Sequence, residues 1–300
     1  MYNILTAIFA FILSISSSVM PLSEMKPVNP NPIKEINSEQ QTRIMTYNLK
    51  VSGTGQYAPA KRAPSVVKSV LSYMPDSVGF EEASPEWMRM LKEQLTGYAC
   101  VGIGRDRNNT GEASPVFYLE EKYDLVDSGT FWLSETPEKV SRGWDAFFFH
   151  RVCTYAVLKN KETGFTYAHF NAHFDHIGVV ARNESAALVC RKIAEICPDI
   201  PVLFSGDLND DEGGAMYERI LESGMKDTKF LAKDTMDSGT YHGYSEKTEE
   251  ERTKPIDFIF VNAYHGDVLK YKVDLEKFEG IYPSDHHPVI TDLILVNGGE

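Results

Sequence analysis

Short strand-like segments recur through most of this chain, and they constrain its fold more than any other feature. From Arg43 onward, the segment RIMTYNL alternates Thr46 and Asn48 with Met45 and Tyr47, as the two faces of a β-strand do. Further segments of this kind are DSVGFEEA, PVFYL, RVCTYAVLK, FTYAHFNAH, PVLFSG, IDFIFV and HPVITDLILV. The sequence therefore predicts a fold in which strands form much of the core.

Helical segments separate several of these strands. In KRAPSVVKSVLSYM, the residues Val66, Val67 and Val70 follow helical spacing. Ser84 followed by Pro85 is typical of a helix start, with a capping side chain before a proline at the first helical position. A longer helical segment separates NAHFDH from PVLFSG. This mixture predicts an α/β fold with helices packed outside the sheets.

Two segments precede the folded domain, which we place at residues 43–300. Residues 1–20 contain an uncharged apolar run that is shorter than the roughly 20 residues needed to span a bilayer. Such a run is typical of a secretory signal peptide. Residues 21–42 hold four prolines among mostly polar residues, which predicts a linker. We therefore expect a secreted or extracytoplasmic protein, with membrane anchoring by the N-terminal segment as the alternative.

The formal net charge is −13 over 300 residues, 42% of which are hydrophobic. This charge disfavours binding of polynucleotides through a broad basic surface. A phosphate substrate is still compatible with it, because a bound cation supplies positive charge locally. Export would permit disulfides among the four cysteines, and buried free thiols are the alternative.

Polar residues interrupt or follow the apolar strands near their ends. Buried carboxylates are costly unless they are paired or bind a cation, so this many of them predicts a shared site. Carboxylate and amide oxygens suit hard cations such as Mg²⁺ or Mn²⁺, and histidines can relay protons to a phosphoryl group. The polar residues are Asn48, Glu81, Glu82, Asn171, His173, Asp175, His176, Asp207, Asn209, Asp257, Asp285 and His286.

Six motifs, in this order, resemble those of the endonuclease/exonuclease/phosphatase superfamily, which includes deoxyribonuclease I. They are TYNL, GFEEAS, NAHFDH, FSGDLND, IDFIFV and SDHHPV. The resemblance implies a four-layer α/β sandwich, with two face-to-face β-sheets between outer helices, and metal-dependent hydrolysis of phosphate esters. The segments GIGRDRNNTGEASPVFY, DSGTFWLSETPE and GWDAFFFHRVCTYA resemble an exported branch of this superfamily whose substrate is unsettled.

The resemblance implies a metal site formed by Glu82, Asn48 and Asp285, with Mg²⁺ as the expected ion and Mn²⁺ as the alternative. Glu81 is expected to have a supporting role, because neighbouring strand residues point to opposite faces. Some nucleases of the superfamily carry an acid where this chain has Lys50. This departure puts a second metal position in question.

The resemblance also implies a set of catalytic residues. Asp207 would orient or deprotonate the attacking water, and Asn209 would contact the phosphate or the metal. His173 would donate a hydrogen bond to a phosphate oxygen. His286 would stabilise the pentavalent phosphorus or act as a base, and Asp257 would orient its imidazole ring.

Substrate-binding residues are expected beside this set. Asn171 precedes His173 by two residues and is assigned to substrate binding with Arg105. Arg105 and Arg151 have the chemistry to clamp a phosphate through paired hydrogen bonds. Of the two histidines in SDHHP, the motif assigns the site to the first, so we expect His287 to be dispensable.

These expectations predict a Mg²⁺-dependent phosphodiesterase that uses in-line attack of water. The alternatives are a nuclease acting on extracellular DNA or RNA, a phosphomonoesterase acting on inositol or sugar phosphates, and a non-catalytic exported binding module. No protein partner is evident, and a monomer is expected. An open groove near residues 105–112 would favour a polymer, whereas a small basic pocket would favour a terminal phosphate.

Overall fold

The computed structural model describes residues 41–245 and 255–296, and its strands form two β-sheets. The strands are β1 (Gln41–Asn48), β2 (Ser77–Glu81), β3 (Tyr98–Val101), β4 (Val116–Leu119), β5 (Tyr123–Trp132), β6 (Val152–Asn160), β7 (Thr166–His173), β8 (Val202–Asp207), β9 (Lys226–Asp227), β10 (Ala232–Met236), β11 (Asp257–Val261), β12 (His265–Val273) and β13 (Val289–Leu295). One sheet has the order β10-β12-β13-β1-β2-β4-β3, and the other has the order β5-β6-β7-β8-β11-β9.

The helices start and end where local sequence signals are strong. The Ser84 hydroxyl accepts a hydrogen bond from the backbone N–H of Trp87, and Pro85 follows it, as predicted. The first helix ends at Met74, which has a left-handed backbone with φ of 47°. The helices are α1 (Pro59–Tyr73), α2 (Pro85–Gln94), α3 (Val179–Ile196), α4 (Ala215–Glu222) and α5 (Thr228–Leu231).

Three apolar layers hold the two sheets and the helices together. The middle layer lies between the sheets and includes Ile44, Tyr167 and Ile259. A second layer joins the first sheet to α1 and α2, with Trp87 buried at its centre. A third layer joins the second sheet to α3 and α4, through residues such as Leu188. This arrangement confirms the predicted four-layer α/β sandwich, whose stability comes mainly from apolar burial.

Strand register brings the polar strand ends together. In the parallel β7–β8 pair His173 lies beside Asp207, and in the antiparallel β8–β11 pair Asp207 lies beside Asp257. In the parallel β1–β2 pair Asn48 lies beside Glu81. Since the two sheets pack face to face, these rows meet at one edge of the sandwich.

The structure differs from the sequence prediction at the start of the domain. Gln41 and Thr42, which we assigned to the linker, belong to β1 and pair with Ile294 and Leu293. The predicted signal peptide and the rest of the linker lie outside the described residues. Within the described ranges, no helix is long and apolar enough to cross a membrane. The four cysteines are free thiols.

Candidate functional site

A cavity of about 500 Å³ opens at the edge where the polar strand ends meet. It contains seven of the ten predicted site residues, whereas Asn48, Asn171 and Asp257 lie behind its surface. The lining residues are Lys50, Val51, Glu82, Arg105, Glu112, Phe149, Arg151, His173, His176, Asp207, Asn209, Tyr241, Ile256, Asp285 and His286.

One side of the site, which we call the acidic wall, is formed by Glu82, Asp207, Asp257, Asp285 and His286. His286 Nδ1 donates to Asp257 Oδ2 at 2.9 Å, and its Nε2 lies 3.8 Å from Asp207 Oδ2. Burial by itself lowers the pKa of His286, but the charges of Asp257, Asp207 and Asp285 raise that pKa to about 10. His286 is therefore an imidazolium at neutral pH, so it is suited to donate a hydrogen bond and not to act as a base.

Asp207 occupies the centre of the acidic wall. Its Oδ2 accepts a hydrogen bond from Asn48 Nδ2 at 2.8 Å, and its Oδ1 accepts one from the backbone N–H of Asn209 at 3.0 Å. Burial and the charge of Asp257 raise the pKa of Asp207 to about 7, against the opposing effect of His286. A carboxylate with a pKa near the working pH is well matched to general-base catalysis.

Asn209 lines the cavity and also supports Asp207. Its backbone has φ of 53°, which turns the chain so that its N–H meets Asp207. Its side-chain Nδ2 donates to the carbonyl oxygen of Phe174 at 3.0 Å. The second N–H of this amide remains for the predicted contact to phosphate, and the amide oxygen remains for a metal ion.

The oxygen atoms of Glu82 and Asp285 fit a hard divalent cation. Glu82 Oε2 accepts one hydrogen bond from Val51 N at 2.6 Å, and its Oε1 accepts a longer one of 3.3 Å from Asn48 Nδ2. Each carboxylate oxygen therefore keeps a lone pair for an ion. Asp285 Oδ2 lies 3.2 Å from the Lys50 ammonium.

Charge balance supports a cation at this wall. The carboxylates of Glu82, Asp207, Asp257 and Asp285 face two cationic groups, Lys50 and His286. The acidic wall thus has more negative than positive charge, and this crowding contributes to the raised pKa of Asp207. A bound divalent cation would offset that excess.

A second donor set is a less suitable metal site. Among the described residues, Asp207, Asp257 and His286 each offer one ligand atom within 4.8 Å of the others. However, His286 Nδ1 is already bonded to Asp257, and its positive charge would repel an ion. We therefore interpret His286 and Asp257 as a hydrogen-bonded pair that lies beside Asp207 and the metal ligands.

The opposite side, which we call the basic wall, is formed by Arg105, Arg151, His173, His176 and Phe149. Arg105 donates two hydrogen bonds of 2.8 Å to the carboxylate of Glu112, which neutralises its charge. The ring of Phe149 lies 4.5 Å from the Arg105 guanidinium and 5.6 Å from that of Arg151. Two guanidinium groups are thus stacked at the cavity surface beside one aromatic ring.

Arg151 carries the least compensated charge of the basic wall. It is only 6% exposed, yet its Nε and Nη1 make no hydrogen bond to any described residue. Its Nη2 donates to His176 Nδ1 at 3.2 Å, and Asp175 lies 3.9 Å from its Nε. Unsatisfied buried donors are costly, so an anion in the cavity would stabilise this arginine.

His173 belongs to the basic wall but lies close to Asp207 of the acidic wall. Its Nε2 lies 3.5 Å from Asp207 Oδ2. Burial, followed by the positive charges of Arg151 and Arg105, lowers the pKa of His173 well below its usual value. His173 is therefore neutral, with one ring nitrogen that donates and one that accepts.

The structure does not place Asn171 in the cavity, in contrast to its predicted substrate-binding role. This residue is fully buried between the sheets, where it donates to the Phe80 carbonyl at 3.0 Å and accepts from Ser205 Oγ at 2.8 Å. A Cβ atom at Gly79 would lie 2.1 Å from its Oδ1, so only glycine fits there. Asn171 therefore supports the site from below.

Glu81 lies in the same buried layer, as predicted for a supporting residue. Its Oε1 accepts a hydrogen bond from Thr46 Oγ1 at 2.9 Å. Burial and the charges of Asp257 and Asp207 raise the pKa of Glu81 well above its usual value, which favours the protonated form of this carboxyl group. The next residue, Glu82, has a left-handed backbone with φ of 57°, and its side chain faces the cavity.

His287 is buried and lies outside the cavity lining. Its ring stacks on His242 with 4.3 Å between centroids, and its backbone N–H donates to Thr240 at 2.8 Å. His286 and His287 therefore have separate surroundings. This placement agrees with the expectation that only His286 contacts substrate.

Arg62 is a supporting residue that sequence reasoning missed. Its guanidinium donates to the carbonyl oxygens of Leu49 at 2.6 Å, Lys50 at 2.7 Å, Tyr57 at 2.6 Å and Pro283 at 2.8 Å. It thus connects the loop after β1, which carries Lys50, to the loop before β13, which carries Asp285 and His286 of the acidic wall. An arginine in a helical segment gives no sequence signal for such a role.

Solved structures of other proteins resemble this fold closely. An endonuclease/exonuclease/phosphatase from Bacteroides vulgatus is 34% identical, with 85% of this chain and 99% of that chain covered and a TM-score of 0.80. A mannosyl-6-phosphatase from Bacteroides thetaiotaomicron is 32% identical, with 85% and 100% covered and the same TM-score of 0.80. The human Nocturnin catalytic domain is 18% identical, with 86% and 94% covered and a TM-score of 0.66, and supports the fold alone.

Comparison with curated protein sequences gives a match that covers a smaller part of the chain. An uncharacterized protein, R895, of Acanthamoeba polyphaga mimivirus is 26% identical over 133 residues. That match spans 37% of this chain but only 19% of the viral protein. No model of a protein family matches the chain.

Proposed function

Because this chain belongs to the endonuclease/exonuclease/phosphatase family, and is thereby a metal-dependent phosphoester hydrolase, we propose that it is a phosphomonoesterase for sugar phosphates. The observation that carries this proposal is Arg151, a buried arginine that lines a cavity of about 500 Å³ and has two nitrogens without a hydrogen bond to any described residue. This proposal departs from the phosphodiesterase expected from the sequence.

A terminal phosphate suits the basic wall better than an internal one. A phosphomonoester carries about two negative charges at neutral pH, whereas a phosphodiester carries one. Two buried nitrogens of Arg151, Nε and Nη1, and the buried Nε of Arg105 make no hydrogen bond to any described residue. Arginine forks match the geometry of phosphate oxygens, so these donors favour the more highly charged group.

The acidic wall would supply the chemistry. Asp207 would hold the attacking water and accept its proton, and its raised pKa fits that task. The His286 imidazolium would donate from Nε2 to a phosphoryl oxygen while Asp257 fixes its ring. Neutral His173 would donate a second hydrogen bond to the same group, from the side of the basic wall.

Glu82 and Asp285, with Asn48 beside them, would hold the metal ion, which we propose to be Mg²⁺ because its ligands are hard oxygens. Mn²⁺ is the alternative ion. When bound, the ion would neutralise charge on the phosphoryl group as a Lewis acid. Lys50 would help to hold Asp285 in place beside it.

A similar protein supports a sugar phosphate as the substrate class. The Bacteroides thetaiotaomicron mannosyl-6-phosphatase is 32% identical to this chain, and the match covers the whole of that protein and 85% of this one. A cavity of this volume falls in the range of about 300–1,000 Å³ that is typical of small-molecule sites. Mannose 6-phosphate is therefore the first substrate to test.

The test compares a monoester with a diester. The purified protein is assayed with mannose 6-phosphate, bis-(p-nitrophenyl) phosphate and a single-stranded oligonucleotide, in Mg²⁺ and in EDTA. We expect the highest kcat/KM for the sugar phosphate and no turnover in EDTA or in the Asp207→Asn variant. A preference for the diester or the oligonucleotide would overturn the proposal, as would full activity in EDTA.

We also propose export, on the basis of the uncharged apolar run within residues 1–20. Expression of the full chain in a bacterial host should yield a shortened product outside the cytoplasm. Mass spectrometry of its N-terminus would locate the cleavage point. A full-length product in the cytoplasm would contradict this proposal, and a full-length membrane-bound product would favour the anchor.

A further inference from the structure

Exposed apolar side chains are concentrated beside the mouth of the cavity. Of the twelve large hydrophobic residues that are exposed within the described ranges, six lie in two short segments next to the basic wall. Phe147 and Phe148 are 67% and 59% exposed. We call this set the apolar rim, and its members are Phe147, Phe148, Phe149, Ile177, Val179 and Val180.

The loop that carries the three phenylalanines is held firmly in place. Trp144 packs against the apolar core beneath it. The Asp145 carboxylate accepts hydrogen bonds from the backbone N–H groups of Val180 at 3.1 Å and Ala181 at 2.6 Å, at the start of α3. Arg142 donates to the carbonyl oxygen of Phe147 at 2.5 Å. These contacts fix exposed rings on a rigid base.

The apolar rim is continuous with the cavity. Phe149 lines the cavity, covers the Arg105 guanidinium and lies 5.9 Å from the ring of His176. It also contacts Phe148, whose ring packs against the edge of Phe147 at 4.7 Å and 84°. A group that leaves the cavity past Phe149 therefore meets the other two rings next.

We infer that the apolar rim binds the sugar ring attached to the phosphorylated sugar, so that the substrate is a phosphorylated oligosaccharide. This inference rests on the proposed phosphomonoesterase function. The C–H bonds on one face of a sugar ring carry partial positive charge and are attracted to the negative face of an aromatic ring. Rigid rings bind such a face without a large loss of side-chain entropy.

A membrane is a less suitable partner for this surface. Interfacial segments are typically rich in lysine and arginine on their polar side, and they bind anionic lipids. The chain has a net charge of −13. In the loop itself, the Asp145 carboxylate accepts a hydrogen bond from Val180, and the Arg142 guanidinium donates to the backbone carbonyl of Phe147. A polar, uncharged glycan fits these surroundings better.

The inference is tested by comparing two substrates in one variant. The double variant Phe147→Ser/Phe148→Ser removes the exposed rings, and Phe230→Ser removes an equally exposed ring (66%) that is not part of the rim. Each full-length protein is assayed with mannose 6-phosphate and with mannobiose phosphorylated on its non-reducing sugar. We expect the double variant to raise KM for the disaccharide about tenfold with little change in kcat. Mannose 6-phosphate turnover and the Phe230→Ser control should stay at the wild-type level.

The outcomes separate this inference from the proposed function. If wild type hydrolyses neither sugar phosphate, the proposed function fails and the inference fails with it. If wild type hydrolyses both, and the double variant loses neither or loses both equally, the inference alone is wrong. Cosedimentation with phosphatidylcholine/phosphatidylglycerol vesicles that disappears in the double variant would assign the rim to a lipid surface instead.

Discussion

Two histidines face the same cavity from opposite walls and have opposite charge states. In the acidic wall, the carboxylates around His286 outweigh the effect of burial and raise its pKa to about 10. His173 lies beside the basic wall, where burial and the charges of Arg151 and Arg105 lower its pKa well below the usual value. The same side chain thus serves as a cation in one place and as a neutral donor in the other.

This contrast suggests a division of labour between the two walls. The acidic wall comes from strand ends and from the SDHHP loop, and its groups suit proton transfer and metal binding. The basic wall comes largely from residues outside the six motifs, and its groups suit an anion. We infer that the acidic wall sets the reaction and the basic wall selects the substrate.

The largest expected effect separates the neighbouring histidines 286 and 287. His286→Gln removes the imidazolium from the acidic wall, and kcat should fall at least about a hundredfold, as for loss of a general acid or base. His287→Gln removes a ring that stacks outside the cavity, so kcat should change little while the melting temperature drops. Equal losses of kcat in the two variants, measured with circular dichroism as a folding control, would contradict this assignment.

The second-largest effect is expected from a substitution in the basic wall. Arg151→Met keeps most of the side-chain volume but removes the guanidinium charge, so kcat/KM for a phosphomonoester should fall by about thirtyfold, or about 2 kcal/mol. Activity on bis-(p-nitrophenyl) phosphate should fall much less. The matched control is Arg191→Met, since Arg191 is exposed on α3 and pairs with Glu195 of the same helix. Equal losses on both esters would show that the basic wall does not distinguish them.

A smaller effect is expected from the support of the acidic wall. Arg62→Lys replaces a planar guanidinium by one ammonium, which cannot reach all four carbonyl oxygens. Because the two loops then lose their connection, Mg²⁺ affinity by titration calorimetry and kcat should each fall by roughly fivefold to tenfold. A drop in melting temperature with unchanged Mg²⁺ affinity would show that Arg62 stabilises the fold and does not support the metal site.

The smallest expected effect is a shift in the pH dependence of kcat. Asp257 is the largest of the influences that raise the pKa of His286, so Asp257→Asn should lower that pKa. If the imidazolium is the active form, activity is lost as pH rises through the pKa of His286. The alkaline limb of kcat against pH should therefore move to lower pH in the variant. An unmoved limb would mean that another group controls it.

Much of the acidic wall could be predicted from sequence because its residues lie at strand ends within short motifs. Asp207, Asp257 and His286 come together as expected, since register in adjacent strands fixes their spacing. The burial of Asn171 beneath the cavity could not be predicted in the same way. It shares a strand face with His173, but the opposing sheet covers it and leaves His173 at the cavity.

The remaining differences have similar physical origins. The strand β5 was not predicted, because several of its residues are exposed and polar and give no buried pattern. Arg62 acts through contacts between segments that are distant in sequence, such as its hydrogen bond to the Pro283 carbonyl. Such contacts depend on how the two sheets face each other, and local spacing does not encode this.

Gly79 has a consequence for how sequences of this kind are compared. A single methyl group there would displace Asn171, and with it the hydrogen bonds to Phe80 and Ser205 beneath the cavity. Such a substitution would not alter the identity of any amino acid in the cavity lining. A homologue with an intact set of catalytic residues but a larger residue at this position would therefore be a candidate for a natural pseudoenzyme.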